Sequence, residues 1–195
     1  MHPFSPFHTH MMKILTGLRD AESIRRAIQD GAEYIGLVFN DRSPLNVSML
    51  PTHTGIIPDK APDVTLPASD AAVTDGLGAK KVHFIGIFTD EMPQNIVTRV
   101  VNFRLDMVLF DGHESPTVLR SLRRTLGPVA PTADETQYVR PGVRFIKSLR
   151  IASEHDFQLC RDFDGIVDFY QFYLDETADF SLLKSYKGNI PYFLP

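Results

Sequence analysis

The side chains able to do chemistry in this chain stand just past its apolar runs. Thr16 follows Ile14-Leu15, Asp111 and His113 follow the run 105–110, and Asp175 follows the run 167–174. Arg42 stands just before the turn Ser43-Pro44-Leu45-Asn46-Val47. A carboxylate or an imidazole can give or take a proton near neutrality, whereas a threonine hydroxyl can only position a water or a substrate by hydrogen bonding. Each residue also has a plain structural use. Asp175 can cap the short helix after it, Asp111 and His113 can sit in an exposed turn, and Arg42 can be a solvated loop residue. Cys160 falls mid-helix between Phe157 and Phe163, where a thiol packs as core. His8-Thr9-His10 would share a face if extended, but two histidines beside a terminus read as a tail, and no metal site is expected.

These residues need elements to hold them. Residues 12–15 form a short apolar strand, Gly17 turns the chain, and Asp20 caps a helix over 21–30 that Gly31 stops. The run 34–39 is continuous and apolar, as in a strand buried on both faces. From 48 to 80 four prolines interrupt the pattern, leaving at most a short helix near 68–74. Strands follow at 82–88, 105–110, 143–149, 167–174 and 190–194. Helices lie between them: 93–103, one capped by Ser115 with Pro116 at its first position and ended by Gly127, one after Ser153, and a short one over 180–186. A polar loop joins Gly127 to Gly142. Alternation of strand and helix implies a parallel α/β sheet, either a barrel or a doubly wound sheet. No glycine-rich dinucleotide fingerprint follows the first strand, which removes the best reason to choose the doubly wound fold.

With 195 residues and 43% apolar side chains, the chain suits one globular domain. A net charge of −4 argues against a nucleic-acid partner. Arg120, Arg123 and Arg124 cluster on a predicted helix and read as its solvated face. One cysteine excludes an internal disulfide and points to a reducing compartment, so a cytoplasmic location is expected. No apolar run is long enough to span a bilayer, so no membrane partner is expected, and residues 1–10 lack the features of a secretory signal.

Thr16-Gly17-Leu18-Arg19, Gly36-Leu37-Val38-Phe39, Ser43-Pro44, Gly86-Ile87-Phe88, Gly112-His113-Glu114-Ser115-Pro116 and Ile146-Lys147-Ser148-Leu149-Arg150 occur in that order, each at a strand end. Together they resemble the phosphoribosylanthranilate isomerase family from Lys13 onward. The resemblance implies a (β/α)8 TIM-type barrel, with residues 1–11 as an extension and 12–195 as the barrel domain. With about six to seven strands in the sequence, the barrel is expected to be incomplete. It further implies an Amadori rearrangement in tryptophan biosynthesis: a phosphorylated ribosylamine opens its ring and becomes an enol-ketose, with no cofactor.

The family's general acid, an aspartate ending the sixth strand, corresponds to Asp175. Its general base, a cysteine after the first strand, corresponds to Thr16, which has no ionisation near neutrality. Asp111 and His113 are the replacement candidates. The arginine that pairs the anthranilate carboxylate corresponds to Leu45, with Arg42 nearby as a substitute. The family's phosphate loops follow strands six to eight. After Asp175 this sequence has no glycine pair, and it stops at Pro195, so those contacts are expected to be missing.

Three functions follow from the resemblance: an isomerase of weak activity, an inactive relative serving as an interaction or structural protein, or a barrel fragment needing a complementing chain. Open edges on the first and seventh strands imply that a second copy or such a chain covers them. For the isomerase, Thr16→Cys alone is not expected to restore turnover.

Overall fold

Short apolar runs of buried side chains dictate the sheet. The computed structural model describes residues 13–47, 82–127, 142–176 and 178–195. Seven strands lie in sequence order: β1 (Ile14–Leu15), β2 (Tyr34–Phe39), β3 (His83–Phe88), β4 (Met107–Phe110), β5 (Arg144–Ile151), β6 (Phe169–Leu174) and β7 (Tyr192–Phe193). Every neighbouring pair is parallel, and the order in the sheet is β1-β2-β3-β4-β5-β6-β7. Three α-helices, α1 (Ala21–Gln29), α2 (Pro93–Asn102) and α3 (Pro116–Leu126), and two 3-10 segments, Glu154–Phe163 and Phe180–Ser185, fill the crossovers. This is the incomplete barrel expected from the sequence: among the described residues, β1 and β7 are each paired on one side only.

Helix starts follow their local chemistry. The Asp20 carboxylate accepts the Ser23 amide at 2.8 Å, and the Ser115 hydroxyl accepts the Val118 amide at 3.3 Å ahead of Pro116. Before the Glu154–Phe163 segment, the Asp156 carboxylate accepts the amides of Ala152 and Ser153 at 2.9 and 2.8 Å. These bonds hold the Asp156 carboxyl below its usual range.

The two faces of the sheet bury different side chains. Outward positions such as Ile35, Leu37, Phe39, Phe88, Phe110, Phe145, Tyr170 and Phe172 join the helices in one large core. Inward positions Ile85, Met107, Leu109, Ile146 and Phe193, with Ile14, Tyr34, Ile87 and Phe169 against them, form a second cluster that fills the lumen. Gly36 faces the lumen, where an added Cβ would stand 2.9 Å from Ile14, Thr16 and Ile87. Only hydrogen fits there.

Several expectations need correction. β1 and β7 are two residues long, β4 begins at Met107, β6 begins at Phe169, and β5 runs on to Ile151. The segment after Ser153 is a 3-10 helix. Its buried Phe157, Cys160 and Phe163 recur every third residue, the period of that helix. The arginine cluster on α3 is not all solvated. Arg123 is half-buried, donates to the carbonyls of Ile166 and Val143 at 3.0 Å each, pairs with Asp168 at 2.6 Å, and lies 4.3 Å from the Phe145 ring centre. Asp168 also accepts the Phe145 amide at 2.7 Å, so this one arginine braces α3 to the starts of β5 and β6. The extension 1–11 with His8 and His10, the helix near 68–74 and the loop 128–141 lie outside the described residues. Among the described residues, no helix is long and apolar enough to cross a membrane.

Candidate active site

In a parallel sheet all strands deliver their carboxyl ends to one rim, and loop residues there face a common mouth. Alternation along each strand decides which side chains look inward. Thr16, just past β1, touches the Cβ position of lumen-facing Gly36, so its side chain lies on the inner face, exposed at the rim. On β6, Phe169 belongs to the lumen cluster, so Gln171 and Tyr173 share its face and Asp175 continues it past the strand end. On β5, Ile146 is inward, and so are Ser148 and Arg150. Register sets Ser148 beside Gln171 and Arg150 beside Tyr173. On β4, Leu109 is inward and Asp111 follows on the same side, exposed at the rim.

Asp111 is held by a clamp on the outer side of the sheet. Lys147 Nζ donates to the carbonyls on both sides of it, Phe110 at 3.2 Å and Gly112 at 2.6 Å, and pairs with Glu114 Oε2 at 3.0 Å. Both side chains of that pair are 3% exposed. The Glu114 carboxylate accepts the amides of Gly112 at 3.2 Å and Asp90 at 3.0 Å, while the Asp111 amide donates to Phe88 at 2.8 Å. Two charges and six backbone groups therefore fix the turn that carries Asp111. Gly112 is required: a Cβ there would stand 2.5 Å from the Asp90 amide nitrogen.

The other expected site residues fall as follows. His113 turns its ring to Asp90, at 3.3 Å, and its side chain is 97% exposed, outside the lumen. The amide and ring of His113 hold the Asp90 carboxyl below its usual range. Arg42 is exposed on the turn after β2, where its amide donates to Asn40 Oδ1 at 3.0 Å. Arg19 ties the turn after β1 to that turn by donating to the Pro44 carbonyl at 2.8 Å. Asp175 is exposed at the rim. Its amide donates to Ile151 at 3.1 Å and its carbonyl accepts from Ala178 at 2.8 Å. Cys160 is buried outside the lumen, and burial pushes its thiol up to about 12, which fits a structural thiol.

Three inward or clamping residues, Lys147, Gln171 and Tyr173, were given no role by the sequence. Lys147 signals itself as a lysine inside an apolar strand, which needs a buried partner. Gln171, 5% exposed, interrupts the apolar run of β6, and its buried Oε1 has no hydrogen-bond partner among the described residues. Tyr173 is half-buried beside Arg150. Burial, and then the Asp111 carboxylate, push its phenol above the usual tyrosine range, while Arg150 acts the other way. Asp111, Arg150 and Tyr173 thus form one polar wall of the mouth, on three adjacent strands. Among the described residues, no group of three or more His, Cys, Asp or Glu is placed to hold a metal ion. A groove of about 580 Å³ lies elsewhere, on the outer side of β1 and α1, lined by Leu15, Leu18, Ala27 and Tyr34 among others.

No family model matches the chain. Curated relatives do. It is 25% identical over 186 residues to N-(5'-phosphoribosyl)anthranilate isomerase of Parabacteroides distasonis, covering 91% of this chain and 69% of that protein. The same identity and length hold for the enzyme of Phocaeicola vulgatus, of which 71% is covered. Among solved structures, a phosphoribosylanthranilate isomerase from Thermus thermophilus superposes with a TM-score of 0.58 at 14% identity, covering 93% of this chain and 74% of that one. One from Thermotoga maritima superposes at 0.55 and 18% identity, covering 90% and 70%. Sequence likeness across nine-tenths of the chain, on the same parallel sheet, makes this protein similar to the phosphoribosylanthranilate isomerases.

Proposed function

We propose that the chain is an aldose–ketose isomerase of this type, acting on a phosphorylated sugar-amine at the barrel mouth. The observation that carries the reading is Asp111, a rim carboxylate that a buried ion pair holds beside the lumen. Thr16 occupies the base position without the chemistry for it, so Asp111 takes the proton from the carbon next to the anomeric centre. The acid comes from the end of β6, the strand end to which the family resemblance assigns it. Two strand spacings separate β4 from β6, roughly 10 Å between backbones, which leaves room for a sugar between base and acid.

The test is conversion of N-(5-phosphoribosyl)anthranilate by the purified chain, followed by chromatography. Turnover is expected, with Asp111→Asn lowering it by about 100-fold and Thr16→Cys changing it by less than about threefold. Absence of turnover by folded wild-type protein refutes the reading.

The outer groove beside β1 supports a second reading, in which a second copy of the chain must cover that edge before the site works. Specific activity then rises with protein concentration in step with a dimer seen by sedimentation. Activity independent of concentration excludes it.

A further inference from the structure

We propose that Tyr173 hands the proton to the sugar ring oxygen, from a ligand subsite that it forms with Gln171 on the lumen face of β6. The proposal rests on the isomerase reading and names the group that touches the substrate there.

Two polar side chains, two residues apart on one strand, face the lumen. Gln171 buries its amide oxygen with no donor to meet it. Buried acceptors are nearly always paired, so an orphan in a lumen is an acceptor kept for a ligand hydroxyl or amine. The Tyr173 hydroxyl likewise makes no hydrogen bond among the described residues. Tyrosines on the other face behave differently: Tyr170 donates to the Cys160 carbonyl at 2.7 Å, and Tyr186 donates to Ile190 at 2.8 Å. Tyr173 is half-buried where Asp175 is exposed, so it sits deeper in the mouth. Its protonated state is favoured by burial and by Asp111, and Arg150 beside it steadies the phenolate that a transfer creates.

The step balances within the residues named and water. The phenol O–H bond breaks, and its proton goes to the ring oxygen as the bond from that oxygen to carbon 1 breaks. The nitrogen lone pair forms a C=N bond, giving an open-chain iminium. Carbon 2 loses its proton to Asp111, and the electrons left behind make the enol. Asp111 gives that proton to water, and the Tyr173 phenolate takes one back from water. The enol gives up its hydroxyl proton to water and gains one at carbon 1, so the ketose keeps the composition of the starting amine.

Three variants test this, by steady-state turnover and by calorimetric binding of reduced 1-(o-carboxyphenylamino)-1-deoxyribulose 5-phosphate. Tyr173→Phe is expected to lower kcat by about 100-fold while KM and probe affinity stay within about threefold. Asp175→Asn is expected to keep kcat within about fivefold. Wild-type kcat should be level from about pH 6 to about pH 9 and fall only as a phenol ionises, whereas a carboxyl donor loses activity as pH rises through the acid range. Gln171→Leu should fold, be at least as heat-stable as wild type because it removes an orphaned acceptor, and bind the probe about tenfold more weakly. Should Tyr173→Phe not fold, protein made with 3-fluorotyrosine, a more acidic phenol, should shift the alkaline limb to lower pH.

Tyr173→Phe with wild-type kcat, an unshifted alkaline limb, or the whole loss carried by Asp175→Asn overturns the proton step. Gln171→Leu that binds the probe normally, or that is less stable than wild type, overturns the subsite. Wild-type protein that binds the probe without turnover overturns the isomerase reading and the proton step with it. Wild-type protein that does not bind the probe overturns the subsite as well.

Discussion

Lys147→Met tests the clamp beneath Asp111. Methionine keeps the length and apolar stem of lysine but removes the ammonium. Three acceptors then lose their donor: the Phe110 carbonyl, the Gly112 carbonyl and Glu114 Oε2. Glu114 is left as a carboxylate 3% exposed, facing no cation. Removing one partner of a buried ion pair costs about 3–5 kcal/mol, chiefly because the other charge is stranded. Glu114 keeps the amides of Gly112 and Asp90, which offsets part of the cost, so a loss of about 3 kcal/mol is expected. For a domain of this size that lowers Tm by roughly 10 °C. Denaturant titration at neutral pH measures it, with Glu114→Gln and the double variant completing a cycle. The double variant should lose less than the sum of the singles, by about 2 kcal/mol. A loss under about 1 kcal/mol, or strict additivity, refutes the argument that this pair is desolvated and mutually dependent.

The remaining predictions concern α3 and the outer core. Arg123→Ala should cost about 2–3 kcal/mol in denaturant titrations, because it removes two backbone hydrogen bonds and the pairing to Asp168, while Arg120→Ala and Arg124→Ala should each change stability by less than about 0.5 kcal/mol. Burial of Tyr170 raises its phenol well above the usual tyrosine value of 10.0. The native state then keeps a proton that the unfolded chain gives up, so stability is full below that value and declines as pH rises above it. Alkaline denaturation of Tyr170→Phe should be correspondingly less steep above about pH 10, and an unchanged slope would count against the burial argument.

Much of the frame is legible in the sequence because it is written in local chemistry. Asp20, Ser115 and Pro116 mark helix starts through bonds made within a few residues, and β2 and β3 show as unbroken apolar runs. The two outer strands are the shortest, at two residues each. Among the described residues β1 and β7 have one hydrogen-bonded neighbour each, and half a ladder holds fewer residues in register. The 3-10 segment could have been read from the strict three-residue spacing of Phe157, Cys160 and Phe163, which an α-helix would smear around its axis. The clamp could not be read by spacing alone: Lys147 and Glu114 are 33 residues apart and meet only because β4 and β5 pair. At the proposed mouth, Asp111 shows in the sequence as the residue that follows an apolar run. Tyr173 and Gln171 were hidden inside one, since a tyrosine and a glutamine in a run of aromatic residues do not reveal which face is wet. Of the arginines on α3, composition says nothing about which one turns inward. That depends on where Asp168 arrives, 45 residues later.

The turn after β4 is fastened from behind, by groups that never see the cavity. Side chains on the cavity side, Thr16 and Asp111 among them, carry no part of that fastening. Chemistry at the rim is therefore free to drift while the backbone under it stays put. A lineage built this way can exchange side chains around its rim without passing through an unfolded ancestor.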